Sequence, residues 1–326
     1  MNTLKTSQVI NAEFRLFEDG PVIRPFHGSF VAADPSLLTP EQSPDSMWHM
    51  FFHTTFGIWE AVSQDGISFK KGKKLLSDAM RPNINLIDGK YYLFFEHTRP
   101  LVFNALNVIN AAKWRSEINE IHSVDLKKWS KPLPVLRHTR EYEACERGVS
   151  ISNPFYLRSG GVNRLYYSCG LTYIKDCGFC EPTYVSYAQS EEAASGYIAS
   201  DTPILSPEPA DPYLNLCSGC LKVYSLQDGY IGVQNGIYEK DGKSHSAILL
   251  LSSVDGLRFR FEKVLIAPSG QPQNRWMGQY VYSSHLVRCG DTLRLYFNAR
   301  DKADALRGRE CIGFAYAEIR QLRERT

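Results

Sequence analysis

Short apolar and aromatic runs of strand length recur along the chain between turn residues, and apolar positions with a 3.6-residue period are nearly absent. Aromatic-rich runs lie at residues 47–54, 90–97, 164–169, 230–235 and 293–299. Four of the five follow a Gly or Asp, as in Asp88-Gly89-Lys90 and Asp228-Gly229-Tyr230. Gly supplies the positive φ of a tight turn, so these runs read as hairpin strands. Only the tail, residues 317–325, has the pattern of a short polar helix.

A second repeat sets the architecture. Ser63-Gln64-Asp65-Gly66-Ile67-Ser68-Phe69 resembles Ser123-Val124-Asp125-Leu126-Lys127-Lys128-Trp129 and Ser253-Val254-Asp255-Gly256-Leu257-Arg258-Phe259. A weaker copy begins Ser190-Glu191-Glu192, and the successive steps are 60, 67 and 63 residues. Units of this length divide 326 residues into five. Four strands per unit, spaced by roughly 8–12 residues, predict an all-β, single-domain, five-bladed β-propeller. A β-sandwich is the alternative. Propellers of the WD40 or kelch type fit less well, because their periods run nearer about 40–50 residues. The blades are expected over about 24–75, 76–137, 138–208, 209–268 and 269–319 of the 1–326 domain, with a strand near 9–17 helping to close the ring. Innermost strands at 31–38, 82–87, 153–158, 219–224 and 281–288 would line the central channel, where polar residues gather at one mouth.

Composition narrows the function classes. Apolar residues at 43% and charged residues at 22% are ordinary for a globular chain, and 12% aromatics suit both strands and sugar stacking. A net charge of +2 with scattered Lys and Arg argues against nucleic acid or a membrane surface as partner. Residues 1–14 lack a signal-peptide pattern, and no stretch approaches the roughly 18 apolar residues of a span. A cytoplasmic protein is expected, with its eight cysteines as thiols. Phosphate-cradling glycine loops, a Gly-x-Ser-x-Gly elbow and a His-Glu-x-x-His motif are absent, and no cofactor is expected. Cys177-Gly-Phe-Cys180 and Cys217-Ser-Gly-Cys220 leave three readings: a structural zinc joining neighbouring blades, a redox pair, or buried unpaired thiols. Cys145 and Cys169 belong to the same region.

Ala33-Asp34-Pro35-Ser36, the Ser-x-Asp-Gly repeats and Asp88-Gly89-Lys90-Tyr91-Tyr92-Leu93-Phe94-Phe95 resemble the five-bladed propellers of glycoside hydrolase family 43 and its relatives in families 32 and 68. The resemblance covers most of the chain. It implies cleavage or transfer of a glycosyl unit of an oligosaccharide or glycoconjugate. One carboxyl protonates the leaving oxygen, and a second activates water or attacks the anomeric carbon. It further implies that a first-blade Asp is base or nucleophile, a second-blade Asp tunes the site, and a third-blade Glu is the acid.

Asp34 matches the first role. In Arg81-Pro82-Asn83 the second Asp is replaced by Asn83, an uncharged amide. For the acid, Glu146 in Glu143-Ala144-Cys145-Glu146-Arg147 is favoured, with Glu143 and Glu181 as alternatives, because the third inner strand, Ser152-Asn153-Pro154, carries none. Arg81, His53, Glu96, His97, Asn235, Tyr282 and Arg300 sit at strand ends where they could bind substrate. Trp59, Trp276 and Tyr280 are candidates to stack on sugar faces. Asn83 and the acid-free third strand also motivate a non-catalytic carbohydrate-binding propeller.

Overall fold

The computed structural model describes residues 1, 3–70, 72–100, 105–304 and 307–319. Five twisted sheets stand around a central axis. Blade one is built in chain order from Ala32–Leu38, Trp48–Thr54, Gly57–Ser63 and Lys74–Leu76. Blade two holds Ala79–Ile87, Lys90–Thr98, Trp114–Ser123 and Leu133–Leu136, and a small hairpin, Ala144–Cys145 with Gly148–Val149, pairs onto its third strand. Blade three holds Ile151–Ser159, Val162–Cys169, Tyr184–Ser190 and Ile198–Ala199. Blade four holds Cys217–Ser225, Tyr230–Lys240, Lys243–Ser253 and Arg260–Ile266. Blade five holds Tyr280–Cys289, Thr292–Arg300 and Glu310–Glu318, and its outermost strand is Arg15–Leu16 from the N-terminus. The expected ring-closing segment is thus shorter than 9–17, because Thr6–Ile10 is helical. Ala317 and Glu318, expected in a tail helix, belong to a strand, and 320–325 lie outside the described residues.

The first strand of each blade touches the first strand of the next, and the fifth touches the first, so the ring is closed. These strands are buried on both faces, as in Ala32–Leu38. Their free edges need acceptors, since a buried N–H without one is costly. Side chains supply them. Ile84 N–H donates to Ser36 Oγ (3.0 Å), Tyr156 N–H to Asn83 Oδ1 (2.9 Å), Leu286 N–H to Tyr224 Oη (2.8 Å) and Leu37 N–H to His285 Nδ1 (3.4 Å). The apolar cores lie between adjacent blades: Phe51 and Leu38 meet Leu93 and Phe95, and Phe94 meets Tyr156 and Tyr167.

The Ser-x-Asp repeat is a self-bonded turn. Ser63 Oγ donates to Asp65 Oδ1 (2.7 Å), which also accepts the amides of Ile67 and Ser68. The same bonds recur at Ser123–Asp125 and Ser253–Asp255. Two of these turns are gripped by the preceding blade in the ring. Tyr296 Oη donates to Gly66 O, and Tyr166 Oη to Gly256 O, each at 2.8 Å. Arg294 and Arg164, two residues before those tyrosines, donate to Asp65 O and Asp255 O. Tyr296→Phe removes one buried bond across the seam that closes the ring. A loss of about 1 kcal/mol in urea unfolding is expected, and an unchanged midpoint would remove this contact from the account of closure.

Candidate active site

Each first strand carries a β-bulge at the same level: between Ala33 and Ser36, Met80 and Asn83, Ser152 and Phe155, Ser218 and Leu221, and Val281 and Ser284. A bulge bends its strand and re-aims a side chain. In the first three blades the turned residue precedes a proline, which has no N–H to leave unpaired. Asp34, Arg81 and Asn153 take positive φ values of 54°, 53° and 49°, a costly backbone that tends to persist at functional sites. In blade four the position is Gly219, where a Cβ would stand 2.4 Å from Asn235 Oδ1. In blade five it is Tyr282. The five turned residues converge on one mouth of the channel.

There they line a cavity of about 250 Å³ together with His53, Glu181, Asn235, Asn298, Arg300 and Glu310. Three carboxyls face this space, and their surroundings differ. Asp34 Oδ2 lies 3.2 Å from His53 Nδ1, and the Asp34 amide donates to Asn298 Oδ1 (3.2 Å). Burial alone would raise this carboxyl. The His53 hydrogen bond and the charges of His53, Arg81 and Lys222 outweigh it and hold Asp34 at about 2. Glu310 is engaged by Asn298 Nδ2 (2.8 Å) and Arg300 Nη1 (3.4 Å), and burial still pushes it upward. Glu181 has no side-chain hydrogen bond or ion pair among the described residues. Burial drives it up to about 8, with Arg81 opposing and the carboxylates of Glu310 and Asp34 reinforcing the rise. The cavity therefore holds one carboxyl with a depressed pKa and one with a raised pKa that are not tied to each other, the arrangement acid–base chemistry needs.

Glu181 arrives on an insertion. Between the second and third strands of blade three, Thr172–Ile174 and Phe179–Glu181 form a hairpin that leans over the channel and adds Phe179, Cys180 and Glu181 to the wall. Arg81 is held by Glu96, a fully buried carboxylate that also accepts from Trp114 Nε1 (3.2 Å). Arg300 lies with its guanidinium carbon 5.5 Å from the centre of the Phe179 ring.

Several expected residues are elsewhere. Asn83 does not line the cavity. The bulge places Arg81, not Asn83, at the turned position, and Asn83 Oδ1 is taken by Tyr156 N–H and by Asn85 Nδ2 (2.7 Å). Glu146 is exposed on the small hairpin of blade two and is no part of the wall. Glu143 is fully buried and accepts from Tyr167 Oη (2.6 Å) and from the Thr139 and Arg140 amides, a structural knot. His97 lies in a separate groove on blade two beside Arg99, Arg115 and Arg137. Trp59 stacks on His27, Trp276 on Phe297, and Tyr280 Oη contacts Ser244 Oγ (2.7 Å) and Cys177 Sγ (2.9 Å), so none of the three faces the cavity. Glu310, Asn298 and Phe179 had no sequence signal. Asn153 had one, the Asn-Pro pair that repeats Asp34-Pro35 and Arg81-Pro82.

Among the described residues no group of three or more His, Cys, Asp or Glu side chains is placed to hold a metal ion, and all eight cysteines are free thiols. No helix of the described residues is long and apolar enough to cross a membrane.

No family model and no curated protein matches the sequence. Solved structures match the fold. A glycoside hydrolase aligns at TM-score 0.67 with 11% identity, over 99% of this chain and 98% of that one. A structure from glycoside hydrolase family 130, described as mannoside phosphorylases with members that hydrolyse β-1,2-mannosidic linkages in Candida mannan, aligns at 0.60 with 16% identity over 98% and 99%. An exo-1,5-α-L-arabinanase from a bovine ruminal metagenomic library aligns at 0.59 with 11% identity over 87% and 92%. At these identities the likeness is one of architecture: the chain has the five-bladed β-propeller fold that these glycoside hydrolases share.

Proposed function

We propose that the chain is a carbohydrate-active enzyme of glycosidase type, acting on an oligosaccharide or glycoconjugate at the mouth of the central channel. The observation that carries this reading is the split between Asp34 and Glu181: one carboxyl held low by His53 and nearby cations, the other pushed up by burial and without a side-chain hydrogen bond among the described residues. Asp34 is the base or nucleophile, and Glu181 is the acid that protonates the departing oxygen. Arg81, Asn153, Asn235, Tyr282 and Arg300 supply groups for sugar hydroxyls, and Phe179 an aromatic face. The fold supports the reading by analogy, since one propeller hosts many functions.

The test is turnover of a panel of aryl glycosides and oligosaccharides by the purified protein and by Asp34→Asn. Hydrolysis is expected in the first and a loss of at least about 10³-fold in the second. Sugar-dependent thermal stabilisation of both proteins without turnover would replace the enzyme by a binding propeller. That second reading draws on Asn83, the acid-free third strand and the cation Arg81 at the second-blade bulge.

A further inference from the structure

The Glu146-Arg147 pair supplies no acid to the cavity, yet its arginine joins two pieces of the cavity wall. The guanidinium carbon of Arg147 stands 4.1 Å from the centre of the Tyr173 ring. Tyr173 pairs directly with Cys180 in the hairpin that ends at Glu181. The Cys180 thiol is near enough to Arg147 to feel its charge. On its other side Arg147 Nη1 donates to Asn107 O (3.3 Å), and Asn107 Nδ2 returns a bond to Arg147 O (3.0 Å). Asn107 precedes Val108, which lines the cavity from blade two. Arg147 O also accepts Trp114 N–H (2.8 Å), and Trp114 Nε1 reaches Glu96, the partner of Arg81. The hairpin bearing Arg147 is pressed so close to blade two that a Cβ on Gly148 would meet Trp114 O at 2.2 Å.

Among the described residues the Thr172–Ile174 and Phe179–Glu181 strands form a two-stranded sheet of their own. A two-stranded hairpin is marginal in water by itself. Its tip is tied to blade four, where Asp176 accepts from the Ser244 amide (2.9 Å) and Cys177 packs on Tyr280, and toward blade two its Tyr173–Cys180 rung meets Arg147. We propose that Arg147 is a positioning residue that clasps this hairpin to the wall of blade two and thereby sets where the Glu181 carboxyl stands in the cavity. The catalytic half of the inference rests on the assignment of Glu181 as proton donor. The clasp uses a planar cation that stacks on an aromatic ring while its edge donates to a carbonyl. A lysine ammonium keeps the charge but cannot do both.

The test compares the full-length protein with Arg147→Ala, Arg147→Lys and the neighbouring control Glu146→Ala. In hydrogen exchange, amides of residues 172–181 in Arg147→Ala are expected to exchange about tenfold faster, with blade four unchanged and Arg147→Lys between the two. Exchange equal to the wild type, or acceleration spread over every blade, overturns the clasp. On a glycoside substrate kcat is expected to fall about 10–100-fold with KM within about twofold. The alkaline limb of the pH–rate profile moves to lower pH, because a donor that swings outward regains water. Glu146→Ala keeps wild-type rates. A normal profile in Arg147→Ala overturns the positioning role. If the wild type hydrolyses nothing, the donor assignment and the catalytic half fall together, while the exchange result still decides the clasp.

Discussion

Glu181→Gln is expected to lower turnover of glycosides with poor leaving groups by about 10³-fold, while aryl glycosides with acidic phenols lose far less. An alkoxide cannot leave without a proton, whereas a good leaving phenolate can. The pH dependence follows from the two carboxyls. Asp34 must be ionised, a condition lost only as pH falls toward about 2. Glu181 must be protonated, a condition lost as pH rises through about 8. A broad plateau ending near pH 8 is expected, and its alkaline limb should vanish in Glu181→Gln, since an amide does not titrate. Stability provides a second, independent reading. The folded-state pKa of Glu181 is raised, so its contribution is fully present below the unfolded value near 4.5 and is lost as pH rises through about 8. The Gln variant escapes that loss. Relative to the wild type it gains in Tm between pH 5 and pH 9. Equal pH dependence of Tm in the two proteins would mean that Glu181 is not held protonated, and the acid would then be sought at Glu310.

Arg81→Met is expected to destabilise the protein by about 3–5 kcal/mol in denaturant unfolding, more than loss of side-chain packing explains. The reason is Glu96. Its carboxyl is fully buried, and with Arg81 gone its charge keeps, among the described residues, the Trp114 Nε1 bond. Burying a charge without a counterion costs several kcal/mol, whereas replacing both partners by apolar groups is often close to neutral. The double variant Arg81→Met/Glu96→Leu should therefore recover most of the loss, and the cycle should report a coupling well above 1 kcal/mol. Additive single effects would show that the pair is not the unit assumed here. Arg81→Met also removes a cation that lowers both Asp34 and Glu181, so the active plateau should shift to higher pH at both ends.

Much of the architecture was legible in the sequence. The Ser-x-Asp turns are closed by bonds between residues two or three apart, so the residues that make them must recur wherever the turn recurs. Their spacing counted the blades. The innermost strands stand within three residues of the ranges expected for them. The place of Asp34 at the channel mouth was legible because its proline and its bulge lie within four consecutive residues.

The remainder of the site is not local. Whether Arg81 or Asn83 turns into the channel depends on the bulge in that strand, and a shift of one residue exchanges the faces of a strand. Glu143, Glu146 and Glu181 are equivalent as letters. One is tied into a buried knot, one stands in solvent, and one is carried over the channel by a hairpin inserted between two strands. Glu310 comes from the last strand and meets Asp34 only because the fifth blade closes on the first. The sequence by itself determined the repeated turns, the innermost strands and the number of blades, since those rest on short-range bonds and on a repeat of fixed length. Only the tertiary structure decided which carboxyls share a cavity and in which direction each pKa moves, since both depend on burial and on charges brought together from distant parts of the chain.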